Sequence, residues 1–195
     1  RKEKYLVHQW QPKNLNYPFQ ILNSPVLVDF QITEKCNLAC PHCYAQATKF
    51  GKHVPLKDIL LVLDQCQSSG VLEVALGGGE PTIHPDFAKI LKAAKKRNLV
   101  VNLASNGKAM NKKLAKTLAK YCGAVALSIE FINDEFKKRR GYDFKDFLKS
   151  AEMIKETGLR LAFQITVSEM NLNKIYQTTK FLSDYQPYGI VFLTY

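Results

Sequence analysis

The chain has 195 residues, is 46% apolar and carries a formal net charge of +11, enough for one core and about one domain. No run approaches the roughly 18 uninterrupted apolar residues of a membrane span, and the basic start, RKEKYLVHQW, lacks the apolar stretch of a signal peptide. Five cysteines, three of them within residues 36–43, argue against a secreted disulfide framework and for a metal site in a reducing compartment, so the expected location is cytoplasmic.

In chain order, residues 1–25 read as a polar, proline-containing lead-in without an initiator methionine, as expected of a piece of a longer chain. Residues 26–195 then alternate with a steady beat. Apolar, β-branched runs at 26–33, 71–77, 99–105, 124–130, 159–167 and 189–195 read as strands. Helix-period segments lie between them, beginning LKDILLVLDQ, DFAKILKAAK, NKKLAKTLAK, DFKDFLKSAE and LNKIYQTTKF. In the first, Ile59, Leu60, Leu63 and Cys66 share a face; in the fourth, Phe144, Phe147, Leu148, Ala151 and Ile154 do. Gly70, Gly123 and Gly158 fall between helix and strand, where left-handed C-caps are expected. Strands buried on both faces and joined by helices predict a parallel α/β sheet with right-handed crossovers. It is either doubly wound or a partial, TIM-like (β/α)6 barrel. The sixth strand has no covering helix, so the natural chain is expected to continue.

In both architectures ligand chemistry gathers at the C-terminal ends of the strands. Cys36, Cys40 and Cys43 follow strand one, Gly77-Gly78-Gly79-Glu80 follows strand two, and Ser105-Asn106-Gly107 follows strand three. All three clusters therefore fall on one rim.

Structural zinc sites close with four protein ligands, but the spacing here is C-x3-C-x2-C with no fourth cysteine nearby. Cys66 and Cys122 read as packed small hydrophobes. His42 is a possible fourth ligand, although its neighbour Cys43 would have to aim at the same metal. Three thiolates on a [4Fe–4S] cube explain the deficit differently, because one iron stays open to a small molecule.

The stretch TEKCNLACPHCY (33–44) resembles the cluster loop of the radical S-adenosylmethionine (SAM) superfamily, including Tyr44 after the last cysteine. LGGGEPT (76–82) resembles that family's Gly-Gly-Glu-Pro element. The likeness extends over residues 26–195, favours the partial barrel, and implies a [4Fe–4S] cluster on Cys36, Cys40 and Cys43 with SAM on the open iron. Reductive cleavage of SAM to a 5′-deoxyadenosyl radical, which takes hydrogen from a substrate, is the implied chemistry.

The resemblance also implies roles for residues around SAM. Tyr44 belongs with the cluster loop. Gly78 and Gly79 would accept from the SAM ammonium, and Glu80 would order the turn or add negative charge. Ser105, in a Ser-Asn-Gly resembling the family's turn, would reach SAM or substrate, while Asn106 also suits a plain turn. Ser128 and Glu130 share a strand face. Ser128 would meet the SAM carboxylate or ribose, whereas Glu130 stands where many relatives have Asp. Arg140 either clamps the SAM carboxylate or belongs to the solvated run KKRR. Gln164 and Thr166 are candidates for ribose or substrate, Phe192 and Leu193 for flanking adenine, and His53 and His84 only for the substrate side.

Between Phe87 and Ile129 there are many lysines and no acidic residue. The patch is either a solvated pair of helix faces or a surface for nucleic acid, an acidic peptide or an acidic electron donor. Aromatics do not interleave, which speaks against base stacking. The expected partners are a peptide or small-molecule substrate, favoured over RNA, and a flavodoxin- or ferredoxin-like electron donor. The sequence looks most like the branch with cysteine-rich C-terminal segments for auxiliary clusters. The rival readings are a zinc or cluster module without catalysis and an electron carrier that binds no SAM.

Overall fold

The structure, a computed structural model, describes residues 24–194, so the lead-in expected before residue 26 lies almost wholly outside the described residues. Six parallel strands form one sheet in chain order: β1 (Leu27–Thr33), β2 (Glu73–Gly78), β3 (Val100–Ser105), β4 (Cys122–Ser128), β5 (Arg160–Val167) and β6 (Gly189–Thr194). Helices α1 (Leu56–Ser68), α2 (Phe87–Lys96), α3 (Lys112–Tyr121), α4 (Asn133–Arg140), α5 (Phe144–Lys155) and α6 (Ile175–Ser183) make the crossovers. Neighbours in sequence are neighbours in the sheet, and β1 does not pair with β6. This is a partial barrel, open along one side, as expected.

The helices form where their periodicity puts apolar residues against the sheet. Ile59, Leu63 and Cys66 of α1 are buried, as are Phe87, Ile90, Leu91 and Ala94 of α2 and Phe144, Phe147, Ala151 and Ile154 of α5. Asn111 caps α3, its side chain accepting from the Leu114 N–H at 3.0 Å. The outward strand residues Val74, Leu76, Val101, Leu103, Val125, Leu127, Leu161, Phe163 and Ile165 meet these helices and are buried. Fully burying one such side chain stabilises by about 1.5–3 kcal/mol, so this layer holds the fold.

Two expectations need correction. Strands β2 to β5 are buried on one face only, and β6 at the open edge has no buried residue. They read as continuous apolar runs because the inner face carries alanine: Ala104, Ala126 and Ala162 are register partners across β3, β4 and β5 and are only half-buried. Small side chains leave the concave face open, where larger ones would close it. Gly123 is not a helix cap but lies within β4, because α3 passes directly into the strand at Cys122. Gly70 and Gly158 do have positive φ, 78° and 75°.

The sequence periodicity gave no sign of α4. Its sequence, NDEFKKRR, is polar except for Phe136. That ring packs against Tyr142, Phe144 and Phe147 at centroid distances of 5.0, 5.4 and 4.9 Å, and this aromatic cluster docks the helix. Gly141, left-handed at φ 73°, ends it.

Candidate functional site

The loop that carries the cysteines is pinned by backbone before any metal is considered. Past β1, the Gly79 N–H donates to the Thr33 carbonyl at 2.7 Å and the Glu80 N–H to the Lys35 carbonyl at 2.9 Å. The Cys36 N–H donates to the Thr48 carbonyl at 2.9 Å. A Cβ on Gly78 (φ +108°) would lie 2.2 Å from the Thr33 oxygen, and one on Gly79 would lie 2.1 Å from the Lys35 oxygen. These two positions accept only glycine, because the end of β2 presses its backbone against the segment entering Cys36.

Glu80 is fully buried and clamps two loops. One carboxylate oxygen accepts from the Thr82 N–H (3.2 Å), the Thr82 hydroxyl (2.5 Å) and the Ser105 hydroxyl (2.8 Å); the other accepts from the Asn106 N–H at 2.7 Å. Burial pushes its pKa above the usual carboxylate range, although these donors oppose the shift. Ser105 in turn accepts from the Gly107 N–H at 3.1 Å. The Asn106 amide donates to Asn37 Oδ1 at 2.8 Å and approaches Cys36 Sγ at 3.6 Å. Glu80 thereby fixes Asn106, and Asn106 faces a cysteine sulfur.

Burial raises the Cys36 and Cys40 thiols, and the Arg140 charge opposes the shift at Cys40. The Leu38 N–H points at Cys36 Sγ from 3.4 Å. Among the described residues no group of three or more His, Cys, Asp or Glu side chains converges on a point that one ion could fill. Three thiolates on one short loop are a soft donor set of the kind that holds a [4Fe–4S] cluster with one iron left open.

The wall beyond the cysteines is ionic. Arg140, the last residue of α4, forks onto Glu130 with Nε–Oε2 at 2.9 Å and Nη2–Oε1 at 2.6 Å; the two side chains are 7% and 4% exposed. His42 Nε2 lies 3.3 Å from Glu130 Oε2, and its buried Nδ1 has no partner among the described residues. Burial alone would raise Glu130, yet the guanidinium and the ring together hold it below the usual carboxylate range.

The residues singled out in the sequence come together. Cys36, Cys40, Cys43, Tyr44, Gly78, Gly79, Glu80, Ser105, Asn106, Ser128, Glu130, Arg140, Gln164, Thr166 and Leu193 all line one cavity of about 130 Å³ above the alanine row. Ser128 and Gln164 are register partners, and so are Thr166 and Leu193. Phe192 is half exposed and does not line the cavity. Neither do His53 and His84: His84 Nε2 bonds the Val54 carbonyl at 2.9 Å, while His53 Nδ1 bonds the Thr33 hydroxyl at 2.9 Å. His42 also lines the cavity, as does Ala104. The spacing of Phe136 and Arg140, four residues apart on one helix face, is the signal that could have placed Arg140 inside.

No helix among the described residues is long and apolar enough to cross a membrane. The family model "Radical SAM superfamily" matches residues 30–182. Among curated relatives, the Fe-coproporphyrin III synthase of Methanosarcina barkeri is 28% identical over 157 residues, 77% of this chain and 39% of that protein. The antilisterial bacteriocin subtilosin biosynthesis protein AlbA of Bacillus subtilis is 26% identical over 167 residues, covering 82% and 37%. Among solved structures, Streptococcus suis SuiB bound to its precursor peptide SuiA superimposes with a TM-score of 0.78 at 23% identity. That superposition covers 90% of this chain and 40% of SuiB, and the likeness is one of fold. The chain thus spans about two fifths of the length of these three proteins.

Proposed function

The chain belongs to the radical SAM superfamily, and on that premise we propose that it is the cofactor-binding core of an enzyme acting on a peptide or a small metabolite. The observation that carries this reading is the convergence of three thiols on a cavity shared with the glycine turn and the polar inner rungs. Cys36, Cys40 and Cys43 would hold a [4Fe–4S] cluster, and SAM would lie between the glycine turn and Ser128, Gln164 and Thr166. When bound, these cofactors supply reductive cleavage of SAM to a 5′-deoxyadenosyl radical that takes a hydrogen atom from the substrate.

The chain's own residues position and shield. Gly78 and Gly79 set the cluster loop against β2, and their exposed backbone offers acceptors to an ammonium group. Glu80 makes its hydrogen bonds within the protein, so it orders the turn rather than meeting the cofactor. Arg140 is paired with Glu130 in the wall of the site, and the guanidinium donors outside that pair stay available to the SAM carboxylate. Ser128, Gln164 and Thr166, whose side chains make no hydrogen bond among the described residues, present polar atoms to the cavity for ribose, carboxylate or substrate. The alanine row leaves room for a substrate to approach from the open side. A peptide substrate is supported by the likeness to SuiB, solved with a precursor peptide, and to a bacteriocin biosynthesis protein.

The test uses anaerobically reconstituted protein. Its reduced cluster should give an electron paramagnetic resonance spectrum that changes when SAM is added, with slow release of 5′-deoxyadenosine. A spectrum indifferent to SAM and no cleavage product would leave a structural or electron-carrying metal site and end this reading.

A further inference from the structure

The outer surface carries a feature that the cavity does not use. Between α2 and α3 runs a groove of about 710 Å³ flanked by Lys89, Lys92, Lys112, Lys113, Lys116 and Lys120. Lys89 pairs with Asp86 at 2.7 Å. Among the described residues, Lys92, Lys112, Lys113 and Lys116 have no carboxylate partner. So many exposed cations side by side, with no acid from residue 87 to 129, repel one another and destabilise the compact chain. An ordinary solvated helix face alternates signs; this one does not.

The groove also has a direction. α2 starts after the Gly-Gly-Glu-Pro turn and α3 after Ser105-Asn106-Gly107, so one end of the groove opens on the cysteine rim. From Asn106, whose amide approaches Cys36 Sγ at 3.6 Å, to Lys112 is six residues, at most about 20 Å fully extended. A turn from the Met110 N–H to the Gly107 carbonyl, 3.0 Å, makes it shorter.

We propose that the α2–α3 groove docks an acidic protein electron donor, of the flavodoxin or ferredoxin kind, beside the cysteine loop. The inference rests on the reading of the cavity as a cluster site. In the step served, the donor's reduced centre loses one electron and the cluster on Cys36, Cys40 and Cys43 gains it, with no atom transferred. A substrate must enter the concave face, on the other side of the sheet from the groove, whereas a donor needs only to come near the rim. Nucleic acid fits less well: among the described residues Tyr121 is the only aromatic side chain lining the groove, and Lys95 and Lys120 lie over its ring at 5.8 and 5.4 Å.

The test takes the intact protein with its cluster reconstituted and an oxidised, strongly acidic flavodoxin as probe, with binding read by calorimetry. Saturable binding that weakens at least tenfold between 50 and 300 mM KCl is expected. The variant K92E/K113E/K116E, at three exposed positions, should weaken it at least tenfold more. The control variant K145E/K155E/K180E makes the same charge change on α5 and α6 and should not. SAM cleavage driven by dithionite should be equal in all three proteins, while cleavage driven by reduced flavodoxin should fall only in the groove variant. Equal flavodoxin binding by groove and control variants overturns the proposal. So does binding of single-stranded RNA that is tighter than that of flavodoxin and is lost with the groove lysines. Absence of dithionite-driven cleavage would instead overturn the enzyme reading, and the binding comparison would still decide the surface.

Discussion

Arg140→Met tests whether the wall of the site is built as described. The guanidinium makes two charged hydrogen bonds to Glu130, at 2.9 and 2.6 Å, with both side chains almost wholly out of water. Removing one partner of a buried pair leaves the other charge stranded and costs about 3–5 kcal/mol. In a domain of this size that amounts to a fall in Tm of roughly 6–20 °C, at about 2–4 °C per kcal/mol. The double variant Glu130→Leu/Arg140→Met removes both charges and should recover most of the loss. It still leaves His42 Nε2 without its acceptor, a residual of about 1–3 kcal/mol.

The pH dependence gives the same account a sign. In the native protein Glu130 is held below its ordinary value of 4.5, so its stabilising share is present above that value and is lost as the pH falls through the lower folded value. Without Arg140 only the His42 ring still opposes burial and the folded pKa rises, so the deficit of Arg140→Met is fully present near neutrality and shrinks as Glu130 takes up a proton at low pH. Urea unfolding of the apo-protein between pH 4 and 8 measures both effects. A loss under about 1 kcal/mol at pH 7, or a single variant no worse than the double, would mean that water reaches the pair as it does on a surface. The buried-wall account would then be refuted.

Gly79→Ala should displace the loop entering Cys36, because the new methyl would sit 2.1 Å from the Lys35 oxygen; relief of that overlap costs about 1–3 kcal/mol, and iron retained after reconstitution should drop several-fold. Alanine at Cys36, Cys40 or Cys43 should abolish iron incorporation, whereas Cys66→Ala and Cys122→Ala should retain it. Burial pushes the Cys122 thiol up to about 12 from 9.0, so native alkylation at pH 8 should be about a thousandfold slower there than at an ordinary thiol; modification of Cys122 at an ordinary rate would contradict this. Ala126→Leu fills the half-buried alanine row, and should change stability by less than about 1.5 kcal/mol while weakening SAM binding, read by calorimetry, at least tenfold.

Periodicity made the strand–helix beat legible because each helix had an apolar face of its own to bury. It failed at α4, whose single apolar residue, Phe136, finds its partners in Tyr142, Phe144 and Phe147 farther along the chain; no window of residues 133–140 contains that information. It also failed on the faces of the strands. Alanine counts as apolar in a pattern, but its size decides whether a sheet face is filled or left as a floor, and Ala104, Ala126 and Ala162 leave a floor.

The site shows the same division between which residues meet and what they do there. Position along the chain was enough to gather the cavity lining, since loops after parallel strands share one rim. Roles depend on partners, and partners depend on geometry. Glu80 and Arg140 are both charged and both line the cavity, yet each spends its hydrogen bonds on the protein: Glu80 on Thr82, Ser105 and Asn106, Arg140 on Glu130. Glu80 cannot take a ligand without disturbing that buried network, whereas Arg140 uses two of its five N–H donors on Glu130 and keeps the others. Ligand binding is therefore expected on the side chains of Ser128, Gln164 and Thr166, on the glycine backbone and on the remaining donors of Arg140. Glu80 ties the glycine turn to the loop carrying Asn106, and the Arg140–Glu130 pair meets the cysteine loop through His42.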